Sequence, residues 1–474
     1  MKHAYLLLIT LLSSQMFGQN IEFADENFKE LLLTIDTNPY VYAKDINGNP
    51  IAIDTNEDGE IQISEAQAVW ALSFLGMGGY IHSLEGIEYF TNLRELNCSN
   101  QSITSLDATP LINLEILYCD NMSINSLNVT GMSSLVELYC GSTHLSSIDL
   151  TGLTNLKKLF CGPTYITSIN VSALSNLERL EVNGNNLTTL DVSGLSNLDI
   201  LNCEYNHLTS VNMTGAKALR VFKCTGNQFT ALDLNDFQNL QLINCTDNQL
   251  SELNIIELTN LSYLLCDNNQ LSTIQTPPSL SLGNMSCSYN NLTSINVTAS
   301  PQLMSLICSH NQLTTLNLSN NPYMSFLDAS YNNLESLYIK NDGINSNSLH
   351  LSNNPNLSFI CADDFEVDIV QDKVDNLGYD CNVTSECSLN TEDFNFNKSI
   401  SIYPNPAENT LNLNNNANLT LEAAEVYNLL GQAVIKAPVT KNQQSINVSS
   451  LTPGTYMVKL TYDKGVFYSK FIKK

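Results

Sequence analysis

The sequence predicts a mainly β protein: a solenoid of stacked parallel turns behind a helical cap, followed by a small β-sandwich. Three observations lead to this prediction. Ten of the 13 cysteines belong to a column with a spacing of 21 residues, and columns of leucine keep the same period. Residues 398–474 lose that period and show alternating strands with turn residues between them. A fixed period of this length is typical of repeat architectures.

The cysteine column marks one inward position in each turn. Its members are Cys98, Cys119, Cys140, Cys161, Val182, Cys203, Cys224, Cys245, Cys266, Cys287, Cys308 and Ala329. Because Val and Ala replace Cys, the position requires a small buried apolar side chain. Stacked cysteines on parallel strands have parallel Cβ vectors about 4.8 Å apart, which disfavours disulfides. We therefore expect free, buried thiols.

Each turn reads L-x-x-L-x-C-x-x-N-x-L-x-x-L. Leucine and cysteine two residues apart share one face of a short strand. The asparagine column, from Asn185 to Asn332, can satisfy backbone groups of neighbouring turns. The return half is too short for a helix, so we expect an extended or 3₁₀ path. Residues 72–344 resemble the leucine-rich repeat family, in a short bacterial form seen in secreted Bacteroidetes proteins.

A calcium-type loop precedes the repeats at residues 54–65, where the sequence matches D-x-[DN]-x-[DN]-G-x5-E. The predicted ligands are the side chains of Asp54, Asn56, Asp58 and Glu65, the carbonyl of Glu60, and Gln62 through water. No helix precedes the loop, so it resembles half an EF-hand, as in dockerin-type modules. We expect a weakly bound, structural Ca²⁺ and an exit helix at residues 66–70. Ordinary turns also use Asp, Asn and Gly, so a plain turn is the alternative.

Both ends of a repeat stack require caps. Phe28, Leu31, Leu32 and Ile35 follow helical spacing and predict a helix in an amino-terminal cap, residues 19–71. Residues 345–387 are expected to form the carboxy-terminal cap. Three cysteines lie beyond the periodic part, and we expect one pair among them, either Cys361 with Cys381 or Cys381 with Cys387.

The two ends of the chain indicate export. Residues 1–18 have a basic start, an apolar centre and a small final residue, typical of a signal peptide, and no other stretch predicts a transmembrane span. Residues 388–397 read as a polar linker. Ser401–Ala407, Val426–Gln432, Leu451–Tyr456 and Lys470–Lys473 resemble the type A sorting domain of the type IX secretion system. That resemblance implies a secreted protein, released or anchored at the outer-membrane surface, with 398–474 addressed to the secretion machinery.

No nucleophile elbow, metalloprotease, phosphate-loop or dinucleotide motif is present, which indicates a protein without catalysis. The first 397 residues carry a net charge of −31, which disfavours nucleic acid, whereas residues 398–474 carry +4. Aromatic residues occupy two outward columns, Tyr118, Tyr139 and Phe160 before the cysteines and Tyr205, Tyr289, His310 and Tyr331 after them. They predict a binding face for a protein or a glycan on a monomeric solenoid, although aromatic ladders also stabilise sheets. A passive adhesion element and a secreted glycan hydrolase remain the alternatives.

Overall fold

The computed structural model describes residues 18–35, 42–74, 80–341, 348–387, 400–415, 421–428, 433–438, 445–462 and 465–474. The chain divides into two compact units, Met1–Ser385 and Glu386–Lys474. The predicted linker and all but the last residue of the predicted signal segment lie outside the described ranges.

The described helices lie at the two ends of the first unit and are short. They are α1 Glu26–Leu33, α2 Ile63–Ala66 and α3 Val367–Asn376, with a 3₁₀ turn at Ile87–Tyr89. The α1 side chains Phe28, Leu31 and Leu32 are buried in the core, as the helical spacing predicts. Asp25 caps α1 by accepting from the Asn27 N–H, and it also accepts from His82 and Ser83 N–H groups, which ties the cap to the first turns.

The described strands of the first unit are two to three residues long. They are β1 Tyr42–Lys44, β2 Pro50–Ile51, β3 Ala71–Ser73, β4 Glu95–Asn97, β5 Ser105–Asp107, β6 Ile116–Tyr118, β7 Ser126–Asn128, β8 Glu137–Tyr139, β9 Lys158–Phe160, β10 Arg179–Glu181, β11 Leu190–Asp191, β12 Ile200–Asn202, β13 Val211–Asn212, β14 Val221–Lys223, β15 Leu242–Asn244, β16 Tyr263–Leu265, β17 Thr273–Gln275, β18 Asn284–Ser286, β19 Ser294–Asn296, β20 Ser305–Ile307, β21 Thr315–Asn317, β22 Phe326–Asp328, β23 Ser336–Tyr338, β24 Leu349–His350, β25 Phe359–Cys361 and β26 Asn382–Thr384.

One long sheet runs through the turns in the order β2-β1-β3-β4-β6-β8-β9-β10-β12-β14-β15-β16-β18-β20-β22-β24. Strands from β3 onward are parallel, and the register keeps each leucine opposite the next, as in Leu96 with Leu117. The middle side chain of each strand is buried and the outer two form a surface, which we call the strand face. The return halves form shorter parallel sheets, such as β5-β7 and β21-β23-β25-β26, so the extended path is confirmed. The sequence also predicts a degenerate first turn at Leu72, Leu75 and Met77. Leu72 pairs with Leu96, whereas Leu75 and Met77 lie outside the described residues.

The cysteine column is confirmed as a row of free, buried thiols. Burial raises the pKa of the Cys98 thiol to about 12, so this thiol is uncharged at neutral pH. The Cys98 Sγ lies 3.4 Å from the Tyr118 carbonyl oxygen of the next turn. Val182 and Ala329 are buried in the same row. The column therefore fills space between turns rather than joining them covalently.

Each residue of the asparagine column joins its own turn to the preceding turn by hydrogen bonds. Asn206 Nδ2 donates to the carbonyls of Val182 and Cys203 at 2.9 and 3.1 Å, and its Oδ1 accepts from the Leu187 N–H at 3.0 Å. The same pattern repeats from Asn227 to Asn332. Each amide thus satisfies backbone groups that the bend after the strand would otherwise leave buried without partners.

The far end of the stack is closed by α3 and β26, whose Val370, Val374 and Val383 belong to the same core as the turns. Cys361 and Cys387 are disulfide-bonded, and Cys381 is free and buried. The predicted pairings through Cys381 are therefore wrong. Cys381 precedes the Phe359–Asn382 register pair, which places it about 10 Å along the strand from Cys361, beyond disulfide reach.

The second unit contains two antiparallel sheets, as predicted for a small β domain. Its strands are β27 Ile400–Tyr403, β28 Thr410–Asn415, β29 Leu421–Tyr427, β30 Ala433–Pro438, β31 Ser445–Asn447, β32 Gly454–Tyr462 and β33 Gly465–Lys473. The sheet orders are β27-β28-β31 and β30-β29-β32-β33. One core cluster, which includes Leu411, Val458 and Phe471, is drawn from both sheets.

Candidate functional site

The calcium-type loop folds around its own backbone. Asp54 accepts from the N–H groups of Asp58 and Gly59 at 3.2 and 2.9 Å, and Asp58 accepts from the Glu60 N–H at 2.9 Å. The bond from Glu60 outweighs the opposing effect of burial, and the pKa of Asp58 lies below its ordinary value. Gly59 has a φ of 78°, which permits the sharp bend without a side-chain clash.

Glu65 fastens the two ends of the loop together. Its Oε1 accepts from both the N–H and the hydroxyl of Thr55 at 2.8 Å, and its Oε2 accepts from the Gln62 N–H at 2.9 Å. The helix that contains Glu65 is α2, which ends at Ala66, so the predicted exit helix at 66–70 is wrong. Trp70 instead donates its backbone N–H to the Lys44 carbonyl, and the chain turns directly into β3.

The donor set of the loop is compatible with a hard cation. Asn56 Nδ2 and Gln62 Nε2 both donate to the Asp58 carboxylate at 3.1 Å. A bound cation would contact the same carboxylate oxygen. Turning these two amides would present oxygen instead of nitrogen without moving the backbone. In the described part of the chain, no three His, Cys, Asp or Glu side chains converge closely enough to hold a metal by themselves. A cation here would therefore depend on amide and carbonyl oxygens as well.

Tyr118, Tyr139 and Phe160 form a continuous stack on the strand face, which we call the strand stack. Neighbouring ring centroids are 4.4 Å apart and the rings are nearly parallel, so the faces of the middle ring are covered. Beyond Phe160, the guanidinium carbon of Arg179 lies 4.9 Å from the ring centroid. Arg179 also donates Nε–H to Glu181 at 2.6 Å. The strand stack is thus closed at this end by an internal cation.

The polar edge of the strand stack is also satisfied internally. The Tyr139 hydroxyl donates to Glu137 Oε2 at 2.7 Å, and Lys158 Nζ lies 2.8 Å from Glu137 Oε1. Burial, together with the Glu137 carboxylate, raises the pKa of Tyr139 well above its ordinary value. These contacts favour a stabilising role for the strand stack over a role in ligand binding.

A second set of aromatic residues lies in the bends after the strands. Tyr289, His310 and Tyr331 stack with centroids 4.1 Å apart and interplanar angles of 11° and 10°, and we call them the turn stack. Tyr289 and Tyr331 are about half exposed, at 53% and 49%. Tyr205 occupies the same turn position but stands apart, and its ring lies over Gly226.

The turn stack is held in a strained backbone conformation. Tyr289, His310 and Tyr331 all have φ of 54°, in the left-handed region, where equivalent turns carry residues such as Gly184 or Asn268. A bulky side chain in this region costs about 1 to 3 kcal/mol. The same positive φ recurs at this bend in most turns, Tyr205 and Asp247 included, so the strain belongs to the repeat. The half-exposed stacked rings make the turn stack a functional candidate.

The strand face also carries an apolar row that sequence reasoning missed. Ile200, Val221, Leu242 and Tyr263 point outward from β12, β14, β15 and β16 and lie directly opposite one another in register. Beside them, the ammonium group of Lys223 forms no ion pair or hydrogen bond within the described residues. We call these five residues the strand-face patch. The signal was readable, because all four apolar residues occupy the column three places before the cysteine position.

Comparison with known proteins supports the assignments of both units. Residues 401–474 match the family described as "Secretion system C-terminal sorting domain", which confirms the predicted sorting domain. No curated protein sequence matches the chain. No helix among the described residues has the length and apolar character needed to cross a membrane.

Solved structures of leucine-rich repeat proteins share the fold of the first unit. The functional domain of InlJ from Listeria monocytogenes, described as including a cysteine ladder, has a TM-score of 0.55 and 21% identity, covering 96% of this chain and 99% of its own. An internalin, InlF, from the same organism has a TM-score of 0.53 and 20% identity, covering 71% and 95%. The leucine-rich repeat protein LIC12759 from Leptospira interrogans has a TM-score of 0.52 and 24% identity, covering 68% and 91%. These likenesses confirm the predicted solenoid class.

Proposed function

We propose that this chain is an exported recognition protein that binds a protein partner through the strand-face patch. The observation that carries the proposal is the uninterrupted apolar row of Ile200, Val221, Leu242 and Tyr263 beside the unpaired Lys223. Contiguous exposed apolar surface with a polar border is typical of interaction sites. The match to the sorting domain and the predicted signal segment support a location outside the cell, with the solenoid released or held at the cell surface.

The aromatic geometry favours a protein partner over a glycan. Aromatic side chains bind sugars through open ring faces, but in both stacks neighbouring rings cover most of those faces. The strand-face patch offers aliphatic side chains and one ammonium group, which suit an apolar protein surface with a carboxylate. The proposal therefore narrows the predicted protein-or-glycan ligand to a protein.

Leu242→Asp is expected to weaken binding of the protein partner at least about tenfold, because it buries a charge at the centre of the patch. The purified mature chain and the variant are screened in parallel on an array of extracellular proteins and on a glycan array. Gln249→Asp, with the same added charge at an exposed position of the same turn, is the matched control. Melting curves establish that both variants fold. Signals restricted to glycans, or protein signals that Leu242→Asp leaves intact, would contradict the proposal.

We also propose that the loop of Asp54, Asn56, Asp58, Glu60, Gln62 and Glu65 binds a structural Ca²⁺. The bound ion would neutralise loop carboxylates and stiffen the link between the amino-terminal cap and β3. The donor set supports this proposal, since the two amides that donate to Asp58 also carry oxygens that could bind the ion.

Calcium at about 10 mM is expected to stabilise the protein by about 1.5 to 2.5 kcal/mol, given an affinity on the order of 10⁻⁴–10⁻³ M. Asp58→Asn should remove this gain, whereas the exposed neighbour Glu57→Gln should retain it. Glu65 is a poorer choice for substitution, because its loss would loosen the loop even without an ion. The measurement is the melting temperature with Ca²⁺ and with a chelator. Identical melting curves for the unaltered protein in the two conditions would refute the calcium proposal.

A further inference from the structure

The two aromatic stacks differ at their ends, and the difference points to a ligand. The strand stack ends at Phe160, and the guanidinium of Arg179 covers the outer face of this ring. Arg179 is itself paired with the carboxylate of Glu181 on its own strand. At this end of the strand stack, a planar cation therefore covers the face of the terminal ring, and a neighbouring carboxylate binds that cation.

The turn stack also combines stacked rings with a nearby carboxylate, but no Lys or Arg of the described residues covers its first ring. Its first ring, Tyr289, follows a turn that carries Asn268 at the equivalent position, and Asn268 directs its amide to Asp247 at 2.7 Å, toward the preceding turn. Within the described residues, His310 is the one ring stacked on Tyr289, and no Lys or Arg lies over it. Within the described residues, no second ring and no Lys or Arg therefore covers the outer face of Tyr289, whose side chain is about half exposed.

A carboxylate of the turn before Tyr289 is hydrogen-bonded to the residue that precedes this tyrosine. Asp267 Oδ1 accepts from the backbone N–H of Ser288, the residue before Tyr289, at 2.5 Å and from the Ser286 hydroxyl at 2.7 Å. Both bonds go to Oδ1, which leaves Oδ2 as an acceptor. Burial raises the pKa of Asp267, and a neighbouring cation would offset that effect. No lysine or arginine within the described residues pairs with this carboxylate.

We propose that the outer face of Tyr289 and the carboxylate of Asp267 form a site for an arginine side chain of a partner protein. The guanidinium stacks on the ring and donates to Asp267, as Arg179 does with Phe160 and Glu181. The acidity of the solenoid attracts a cation to this site, and the planar, delocalised group fits a ring face better than a compact ammonium does.

The probes are a capped Gly-Arg-Gly peptide and two matched peptides in which lysine or citrulline replaces arginine. Binding to the full chain is followed by peptide-observed NMR at concentrations up to about 10 mM. The arginine peptide is expected to bind at least about fivefold more tightly than either analogue, because lysine lacks the plane and citrulline lacks the charge. Equal binding of the three peptides, or no binding of the arginine peptide, would overturn the proposal.

Variants locate the site. Tyr289→Ala and Asp267→Asn are each expected to weaken binding of the arginine peptide about fivefold. Tyr331→Ala, at the opposite end of the stack, and Tyr205→Ala, at an isolated tyrosine with the same backbone conformation, are expected to have no effect. Loss of binding in Tyr331→Ala equal to that in Tyr289→Ala would overturn the assigned end.

A gain-of-contact variant guards against misfolding as an explanation. Asn268→Arg places a guanidinium on the turn before Tyr289 and is expected to abolish peptide binding while raising, or leaving unchanged, the melting temperature. Retained binding in a folded Asn268→Arg variant would overturn the proposal. The inference rests on the proposed function only in that the partner is a protein. The strand-face patch is tested with other variants and probes, so the two proposals fail separately.

Discussion

Replacing Asn227 with Ala is expected to lower the free energy of unfolding by about 3 to 5 kcal/mol. Asn227 Nδ2 donates to the carbonyls of Cys203 and Cys224, both at 3.0 Å, and its Oδ1 accepts from the Leu208 N–H at 3.0 Å. Alanine leaves the Leu208 N–H buried without a partner, which costs about 1 to 3 kcal/mol. Each carbonyl also loses one of its two amide donors, at about 1 kcal/mol each, and keeps the other, from Asn206 or Asn248. The loss is measured by urea denaturation, monitored by circular dichroism.

Two further variants separate the hydrogen bonds from general effects of substitution. Gln228→Ala changes the exposed neighbouring residue and is expected to alter stability by less than about 0.5 kcal/mol. Asn227→Asp keeps the acceptor for Leu208 but turns a carboxylate toward two carbonyl oxygens, so it should be at least as destabilising as Ala. A loss of under about 1 kcal/mol in Asn227→Ala would mean that water or backbone movement satisfies the bend.

The turn architecture could be predicted from the sequence because the same physical requirement recurs at the same spacing. A small apolar side chain recurs at every position equivalent to Cys98, and an amide recurs at the positions equivalent to Asn206 from Asn185 to Asn332. Variation at one position, such as Val182 in place of Cys, revealed the requirement instead of obscuring it. Stacking then fixes the neighbours, because each turn can bury its apolar side only against the next.

The surface of the solenoid could be predicted only in part. The columns that contain Tyr118 and Tyr289 were visible, but their spacing does not show that each ring face is covered by the next ring. The spacing also does not show that Arg179 covers the last ring of one stack while no cation covers Tyr289 in the other. Such differences depend on side-chain direction in three dimensions, whereas a repeat pattern specifies only the row in which a residue lies.

Irregular segments were predicted least well, because no repeat constrains them. The helix after the calcium-type loop forms at Ile63–Ala66 rather than later, since Glu65 must reach back to Thr55 and Gln62. The register of β25 with β26 excludes Cys381 as the partner of Cys361, whereas Cys387 follows the end of β26 at Thr384 and is not bound by that register. The sequence does not encode this register locally.

Replacing Cys361 and Cys387 together with Ala is expected to lower the free energy of unfolding by about 3 kcal/mol. The disulfide closes a chain segment that contains α3 and β26, and a loop of this size restricts the unfolded chain by about that amount. The effect should concentrate at the carboxy-terminal cap, where Val370 and Val374 cover the last turns. Urea denaturation combined with hydrogen exchange across residues 348–387 measures both the size and the place of the loss.

A reducing agent provides an independent measure of the same bond. Dithiothreitol should destabilise the unaltered protein by a similar amount and leave the Cys361→Ala/Cys387→Ala variant unchanged, because the other cysteines are free. Cys381→Ala should remain sensitive to dithiothreitol, since this buried thiol packs against the cap without joining it covalently. A Cys381→Ala variant insensitive to reduction would instead mean that β26 is shifted along β25, and that Cys381 reaches Cys361 after all. Reduction thus tests the register of the last two strands as well as the bond.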